Sequence, residues 1–210
     1  MSELSASIQE RRTRVLDKMA AAARQSGRPI ESVRLVVVTK TQPLVVIEAA
    51  LEAGVRILGE NYAEEAAEKI AALQGRSPAM TAANGTGVEW HMIGHVQSRK
   101  AELVATHFAL VHSLDSLKLA QRLDRAARLL NREMPVLLEF NVGGEASKAG
   151  WLAADEGRWS ELLPDMQVLS ALPNLRVRGL MTMPPLSTDP ETARPYFRRL
   201  RFPGQHPLHR

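Results

Sequence analysis

The apolar positions of the chain alternate between two periods. Residues 3–26 carry Leu4, Ile8, Val15, Met19 and Ala22 or Ala23 at helical spacing before Gly27-Arg28-Pro29 interrupts the pattern, which predicts a leading amphipathic helix. Residues 34–39, RLVVVT, form a short, β-branched, almost wholly apolar run, the mark of a strand buried on both faces of a parallel sheet. A helix follows at once, with Pro43 suited to its first position, Val46, Ile47, Ala50 and Leu51 as its buried stripe, and Gly54 as its stop. The alternation then repeats. Strands are predicted at 55–58, 88–93, 108–112, 136–141 and 177–181, and helices at 62–73, 98–105, 116–131, within 154–171, and at 191–200. Ser98, Asp115 and Asp189 read as helix-start residues, and residues 74–87 as the one long polar loop.

Six βα units behind a leading helix leave only α/β folds with a parallel sheet, either doubly wound or closed as a (β/α)8 TIM-type barrel. Eight units usually take about 250 residues. Taken as a barrel, residues 1–200 would make an incomplete one, two units short, followed by an irregular tail over 201–210, RFPGQHPLHR; the units alone leave the doubly wound form open.

Composition narrows the function classes. With 45% hydrophobic and 24% charged residues over 210 positions, the chain can bury a sizeable core. It has no cysteine, which excludes a disulfide framework, a thiolate nucleophile, a Cys-ligated zinc and an iron–sulfur cluster, and agrees with a reducing cytoplasm. No apolar run reaches the roughly 18 residues of a spanning helix, and the N-terminus lacks an apolar signal core, so a cytoplasmic protein with no membrane partner is expected. The net charge of +4 raises nucleic acid as a partner. The distribution argues against it: Arg122, Asp124, Arg125 and Arg128, and likewise Glu64, Glu65, Glu68 and Lys69, alternate as on solvated helix faces, and aromatics are only 4%.

In parallel α/β folds chemistry gathers at the C-terminal ends of strands. Lys40 directly follows LVVVT, flanked by Thr39 and Thr41. Partly desolvated there, it would lose its proton more readily and could attack an aldehyde to form a Schiff base; a solvated loop lysine is the other reading. After the second strand stands Gly59-Glu60-Asn61-Tyr62, in which Asn61 could cap a helix or face a ligand. The third strand leads into WHMIGHVQSRK, where His91 and His95 have the spacing of a helical metal pair, yet Gly94 and the strand-like run before it place them on different elements, so no metal site is expected. Residues 141–150, NVGGEASKAG, make a glycine-rich loop that could cradle an anion but lacks the P-loop and dinucleotide spacings. No Ser/His/Asp set or carboxylate pair has diagnostic spacing.

Taken together, VVVTK ending in Lys40, GENY at 59–62, WHMIGHVQSRK at 90–100, HSLDSLKLA at 112–120, VLLEFNVGGEASKAG at 136–150 and VRGLMTM at 177–183 resemble, in order and spacing, the pyridoxal phosphate homeostasis protein family, related in fold to the N-terminal barrel of alanine racemase. The resemblance implies a (β/α)8 barrel holding pyridoxal 5′-phosphate as a Schiff base on Lys40, with Asn61 and His91 lining the pocket and Trp90 and Met181 in the core. It implies a handler of the cofactor with no settled catalytic activity, partnered by the cofactor and by the apo-enzymes that need it, and a monomer is expected. A racemase-like enzyme acting on amino acids is the alternative, disfavoured because related racemases take one acid/base group from a second domain. Family members continue with a Ser-Met-Gly-Met-Ser strand and a Val-Arg-Ile-Gly strand that grip the phosphate. This sequence has neither, so a truncated member is expected, and an inactive one is the further alternative.

Overall fold

The computed structural model describes residues 2–76 and 87–201. The chain divides into two compact units, one spanning Met1–Glu60 and Glu65–His91, the other Asn61–Glu64 and Met92–Arg210.

In the first unit the leading helix α1 (Glu3–Gln25) begins as the sequence requires: the Ser2 side chain accepts the Ser5 N–H, and Glu3 lies in the first turn. Its apolar stripe is only partly covered, since Ser5 and Ala23 are buried while Leu4 is 41% and Val15 42% exposed. Strand β1 is short, Val37–Val38, and pairs in parallel with β2 (Ile57–Glu60), Val37 opposite Leu58 and Val38 opposite Gly59. This corrects the expectation of a strand over 34–39 buried on both faces. Among the described strands β1 has β2 as its only neighbour, and Val38 is 49% exposed.

Between them runs α2 (Leu44–Glu52), which buries Ile47, Ala49, Ala50 and Leu51. Gly54 ends it at φ +83, its N–H bonding the Leu51 carbonyl while the Val55 N–H bonds the Ala50 carbonyl. These two bonds make a Schellman closure. Val55 therefore spends its N–H on the helix end, and the second strand starts two residues later than 55–58, taking Gly59 and Glu60 into the sheet. Helix α3 (Ala63–Arg76) follows, and β3 (Glu89–Met92) lies next to β2 in strand order. Of the predicted polar loop, Gln74 to Arg76 form the last turn of α3, and residues 77–86 lie outside the described residues.

The second unit holds a 3₁₀ turn (Ser98–Lys100) leading into α4 (Ala101–His107), then β4 (Leu110–Leu114), α5 (Leu117–Leu129) and β5 (Met134–Asn141). They are followed by β6 (Trp151–Leu152), α6 (Leu163–Ser170), β7 (Leu175–Met181) and α7 (Arg194–Arg201). Every strand pair with a stated register is parallel. Strand β5 is the spine: β4 pairs with it, Met134 to Glu139 pair with β7, and Phe140 and Asn141 pair with β6. Its alternation is that of a strand covered on one face, with Met134, Val136, Leu138 and Phe140 buried, and Trp151 packs its ring 5.9 Å from that of Phe140.

Helix α5 lays Leu119, Ala120, Leu123, Ala126 and Ala127 into the core. Its start is Ser116, whose side chain accepts the Leu119 N–H at 3.4 Å and donates to Asp115. Asp115 is thus the neighbour of the cap, and Ser98 opens the 3₁₀ turn without a side-chain cap, whereas Asp189 does cap, accepting the Glu191 N–H at 2.9 Å. At its end Asn131 sits at φ +49 and makes the closure that Gly54 makes for α2, with the Arg132 N–H on the Ala127 carbonyl. Arg201 belongs to α7, and the remainder of the expected tail, 202–210, lies outside the described residues. Among the described residues no helix is long and apolar enough to cross a membrane.

Two outcomes follow from this packing. Leu123→Ala, at a fully buried position, should cost about 2–5 kcal/mol, whereas Leu129→Ala, 69% exposed, should change stability by less than about 0.5 kcal/mol; urea denaturation reads both. In the same assay Asn131→Gly should be neutral or stabilising, and Asn131→Val should cost about 1–2 kcal/mol, because a β-branched residue resists the left-handed region.

Candidate functional site

Lys40 sits in a tight turn after β1. The Gln42 N–H closes the turn on the Thr39 carbonyl at 3.1 Å, and Thr41 occupies the left-handed region at φ +61. For a β-branched residue that conformation costs about 1–2 kcal/mol, so something must hold it. Thr39, only 3% exposed, is tied on three sides: its N–H bonds the Gly59 carbonyl at 2.9 Å, its hydroxyl donates to Glu60 Oε1 at 2.7 Å, and its carbonyl accepts Lys69 Nζ at 2.8 Å. The Thr41 N–H donates to Glu65 Oε1 at 2.8 Å, and the Thr41 hydroxyl donates to the Lys40 carbonyl at 2.6 Å. The Lys40 side chain itself is exposed, and among the described residues it makes no hydrogen bond or ion pair. The expected partial desolvation is therefore absent. Its backbone neighbours are fixed and its amine is open.

Beneath this turn lies a buried ion cluster. Lys69 on α3 is 8% exposed, and besides the Thr39 carbonyl its ammonium reaches Glu60 Oε1 at 2.8 Å and Glu65 Oε1 at 2.6 Å. Three donors meet three acceptors. The Lys69 ammonium is the main cause that holds the Glu65 carboxyl below its ordinary value, against a smaller opposing effect of burial and with help from the Thr41 N–H. Glu60 is fully buried, and its Oε2 has no hydrogen-bond partner among the described residues. The sequence pattern assigned Glu65 and Lys69 to a solvated helix face and left Glu60 after its strand. The overlooked signal was a carboxylate at the end of ILGE, an otherwise apolar strand, which demands a buried cation.

His91, on β3, is 3% exposed, with Nε2 3.1 Å from Glu89 Oε2, and Arg34 donates to the other Glu89 oxygen at 2.6 Å. Burial is the main cause that pushes the His91 imidazole below its ordinary pKa, opposed by Glu89. Burial alone would raise Glu89, but the hydrogen bonds from Arg34 and His91 outweigh it and hold the carboxyl below its ordinary value. His91 is thus a neutral ring donating to a carboxylate. It shares the first unit with Lys40, on β3 where Lys40 follows β1, with β2 between them in strand order. Trp90, beside it, is buried at 4% exposure, and Met181 is half-buried.

Asn61 belongs to the second unit. It lines a cleft of about 340 Å³ with Tyr62, Met92, His95 and the Glu64–Lys100 ion pair. Gly94 packs against the Asn61 backbone, where a Cβ would lie 2.4 Å from the Asn61 carbonyl oxygen, so only glycine fits. His95 stands in this loop with Nδ1 2.8 Å from Asp115 Oδ2, on a different element from His91. Among the described residues no group of three or more His, Asp or Glu could hold a metal ion. The glycine-rich loop after β5 closes on itself: Asn141 accepts the Gly144 N–H at 2.9 Å and donates to the Glu145 carbonyl at 2.8 Å, while Lys148 bonds Glu145 and the Met183 carbonyl.

Comparison with known proteins identifies the family and the fold. Residues 15–202 match the family model of the alanine racemase N-terminal domain. The pyridoxal phosphate homeostasis protein of Vibrio alginolyticus is 37% identical over 194 residues, covering 92% of this chain and 78% of that protein. Among solved structures, a protein of unknown function from Bifidobacterium adolescentis aligns with a TM-score of 0.82 at 33% identity, over 96% of this chain and 79% of the other. PipY of Synechococcus elongatus, solved with PLP bound, aligns with a TM-score of 0.68 at 33% identity, over 92% of this chain and 84% of PipY. An α/β fold with parallel strands, a match to the alanine racemase N-terminal domain along nearly its whole length, and more than a third identity to a curated relative place this chain in the pyridoxal phosphate homeostasis protein family.

Proposed function

We propose that this protein binds pyridoxal 5′-phosphate through Lys40 and serves cofactor homeostasis, holding and releasing the cofactor. The observation that carries the reading is an amine with no competing partner among the described residues, placed at a strand's C-terminal end on a turn whose flanking peptides are fixed. When bound, the cofactor supplies an aldehyde, which takes up an amine as a Schiff base with loss of one water. The chain's own residues do the rest. Lys40 Nζ, open to solvent, gives up a proton to water before it can act as a nucleophile. Thr39 and Thr41 keep its backbone from following the side chain as it moves. His91 keeps its Nε2 proton directed at Glu89, and Asn61 offers an amide donor and acceptor at the edge of its cleft.

The reading extends to a monomeric chain working in the cytoplasm and passing the cofactor to apo-enzymes that need it. The absence of cysteine, which suits a reducing compartment, supports the location.

Mixing the purified protein with pyridoxal 5′-phosphate should produce the visible absorbance band of a protein-bound Schiff base, and borohydride should fix the cofactor on Lys40. Lys40→Ala should abolish both while leaving the circular dichroism spectrum unchanged; a folded wild-type protein without the band would overturn the reading. A second expectation concerns His91. Its pKa is depressed in the folded state, so the unfolded chain takes up a proton first as the pH falls. Its contribution to stability is thus full above the unfolded value of about 6.5 and is lost as the pH drops through the lower folded value. His91→Gln should flatten the decline in denaturation midpoint between about pH 7.5 and pH 5.

A further inference from the structure

Of the six lysines in the chain, Lys69 alone is buried. A buried ammonium needs all three of its donors satisfied, and each of its acceptors leads to the Lys40 turn. The Thr39 carbonyl, preceding Lys40, takes one donor directly at 2.8 Å. Glu60 takes another and uses the same Oε1 to accept the Thr39 hydroxyl. Glu65 takes the third and uses its Oε1 to accept the Thr41 N–H, just beyond Lys40. Both peptides that flank Lys40 are thereby tied to a single charge, and the residue forced into the left-handed region, Thr41, is the one that Glu65 grips.

A purely cohesive ion pair would have no reason to converge on this turn. Glu60 Oε2 has no hydrogen-bond partner among the described residues. The orientation of the carboxylate is set instead by the two donors on Oε1, Lys69 and Thr39.

We propose that Lys69 is the positioning residue for Lys40: through Thr39, Glu60 and Glu65 it holds the turn in the kinked conformation that directs the Lys40 amine. This rests on the reading of Lys40 as the cofactor lysine. Lys69 touches neither the Lys40 amine nor, on this account, the cofactor. Its effect is on how often the amine points correctly, not on its chemistry.

The full-length chain is tested as Lys69→Met, Lys69→Arg, Glu65→Gln and the paired Glu60→Gln/Lys69→Met. The pair removes both buried charges together and keeps the test open if the single Lys69→Met does not fold. Two readouts are taken, with thermal midpoints recorded beside them. The first needs no cofactor: amide exchange of Thr41 by NMR should speed up by about tenfold or more in Glu65→Gln and in the paired variant, while amides of α5 stay as in wild type. The second is the rate of appearance of the Schiff-base band, which should fall by about ten- to a hundredfold in the paired variant and recover in large part with Lys69→Arg.

A paired variant that folds and shows wild-type Thr41 exchange and wild-type band formation would overturn the proposal. So would losses that follow the thermal midpoint alone, with Lys69→Arg no better than the paired variant, since that is the signature of a cohesive ion pair. If wild type gives no band, the cofactor reading fails by itself, and Thr41 exchange still decides whether Lys69 holds the turn.

Discussion

One ammonium buried beneath a turn organises the first unit. Lys69 is held by the Thr39 carbonyl, Glu60 and Glu65, which belong to three different segments: the end of β1, the last residue of β2 and the first turns of α3. Taking such a charge out of water is costly, and removing one partner of a buried pair typically costs about 3–5 kcal/mol because the other charge is left stranded. The cluster thus works as an all-or-none joint. It forms only when β1, β2 and α3 are in register, and the turn carrying Lys40 is the element that this register delivers.

The second unit has an apolar centre, with Phe108, Val111, Leu114, Leu123, Met134 and Val136 essentially excluded from water, and its spine β5 divides its length between β7 and β6. Several polar side chains there end elements and close loops. Arg132 caps the α4 end through the Ala105 and Phe108 carbonyls, Asp124 binds the Asn174 backbone at 2.8 Å, and Asn141 locks the loop that follows β5. Both units bury apolar side chains, and the first adds a charge network that fixes the Lys40 turn.

Much of this was legible in the sequence, and the failures share a cause. Helix positions could be read because apolar periodicity is a local signal and because stop residues such as Gly27 and Gly54 act on their own neighbours. The place of Lys40 could be read because it directly follows an apolar run, and the structure sets it in a turn just after β1. Strand edges could not be read where a long-range event decides them. Val55 is apolar and β-branched, yet its N–H is spent on closing α2, so β2 starts later and carries Glu60 into the interior. That displacement turned Glu65 and Lys69 from an apparently solvated face into a buried cluster, because a helix residue is buried by what lies opposite it. The short β1 has the same origin: its composition fits a strand buried on both faces, but among the described strands it has one neighbour.

The contact between Gly94 and the Asn61 backbone has an evolutionary reading. A Cβ at position 94 would meet carbonyl and Cα atoms at 2.4 and 2.7 Å, and backbone cannot swing aside as a side chain tip can. Every missense change that a glycine codon can undergo in one base step installs a Cβ. The codon for Gly94 is therefore a position without a mild allele, whose drift can run only through synonymous third bases unless the segment carrying Asn61 is remodelled at the same time.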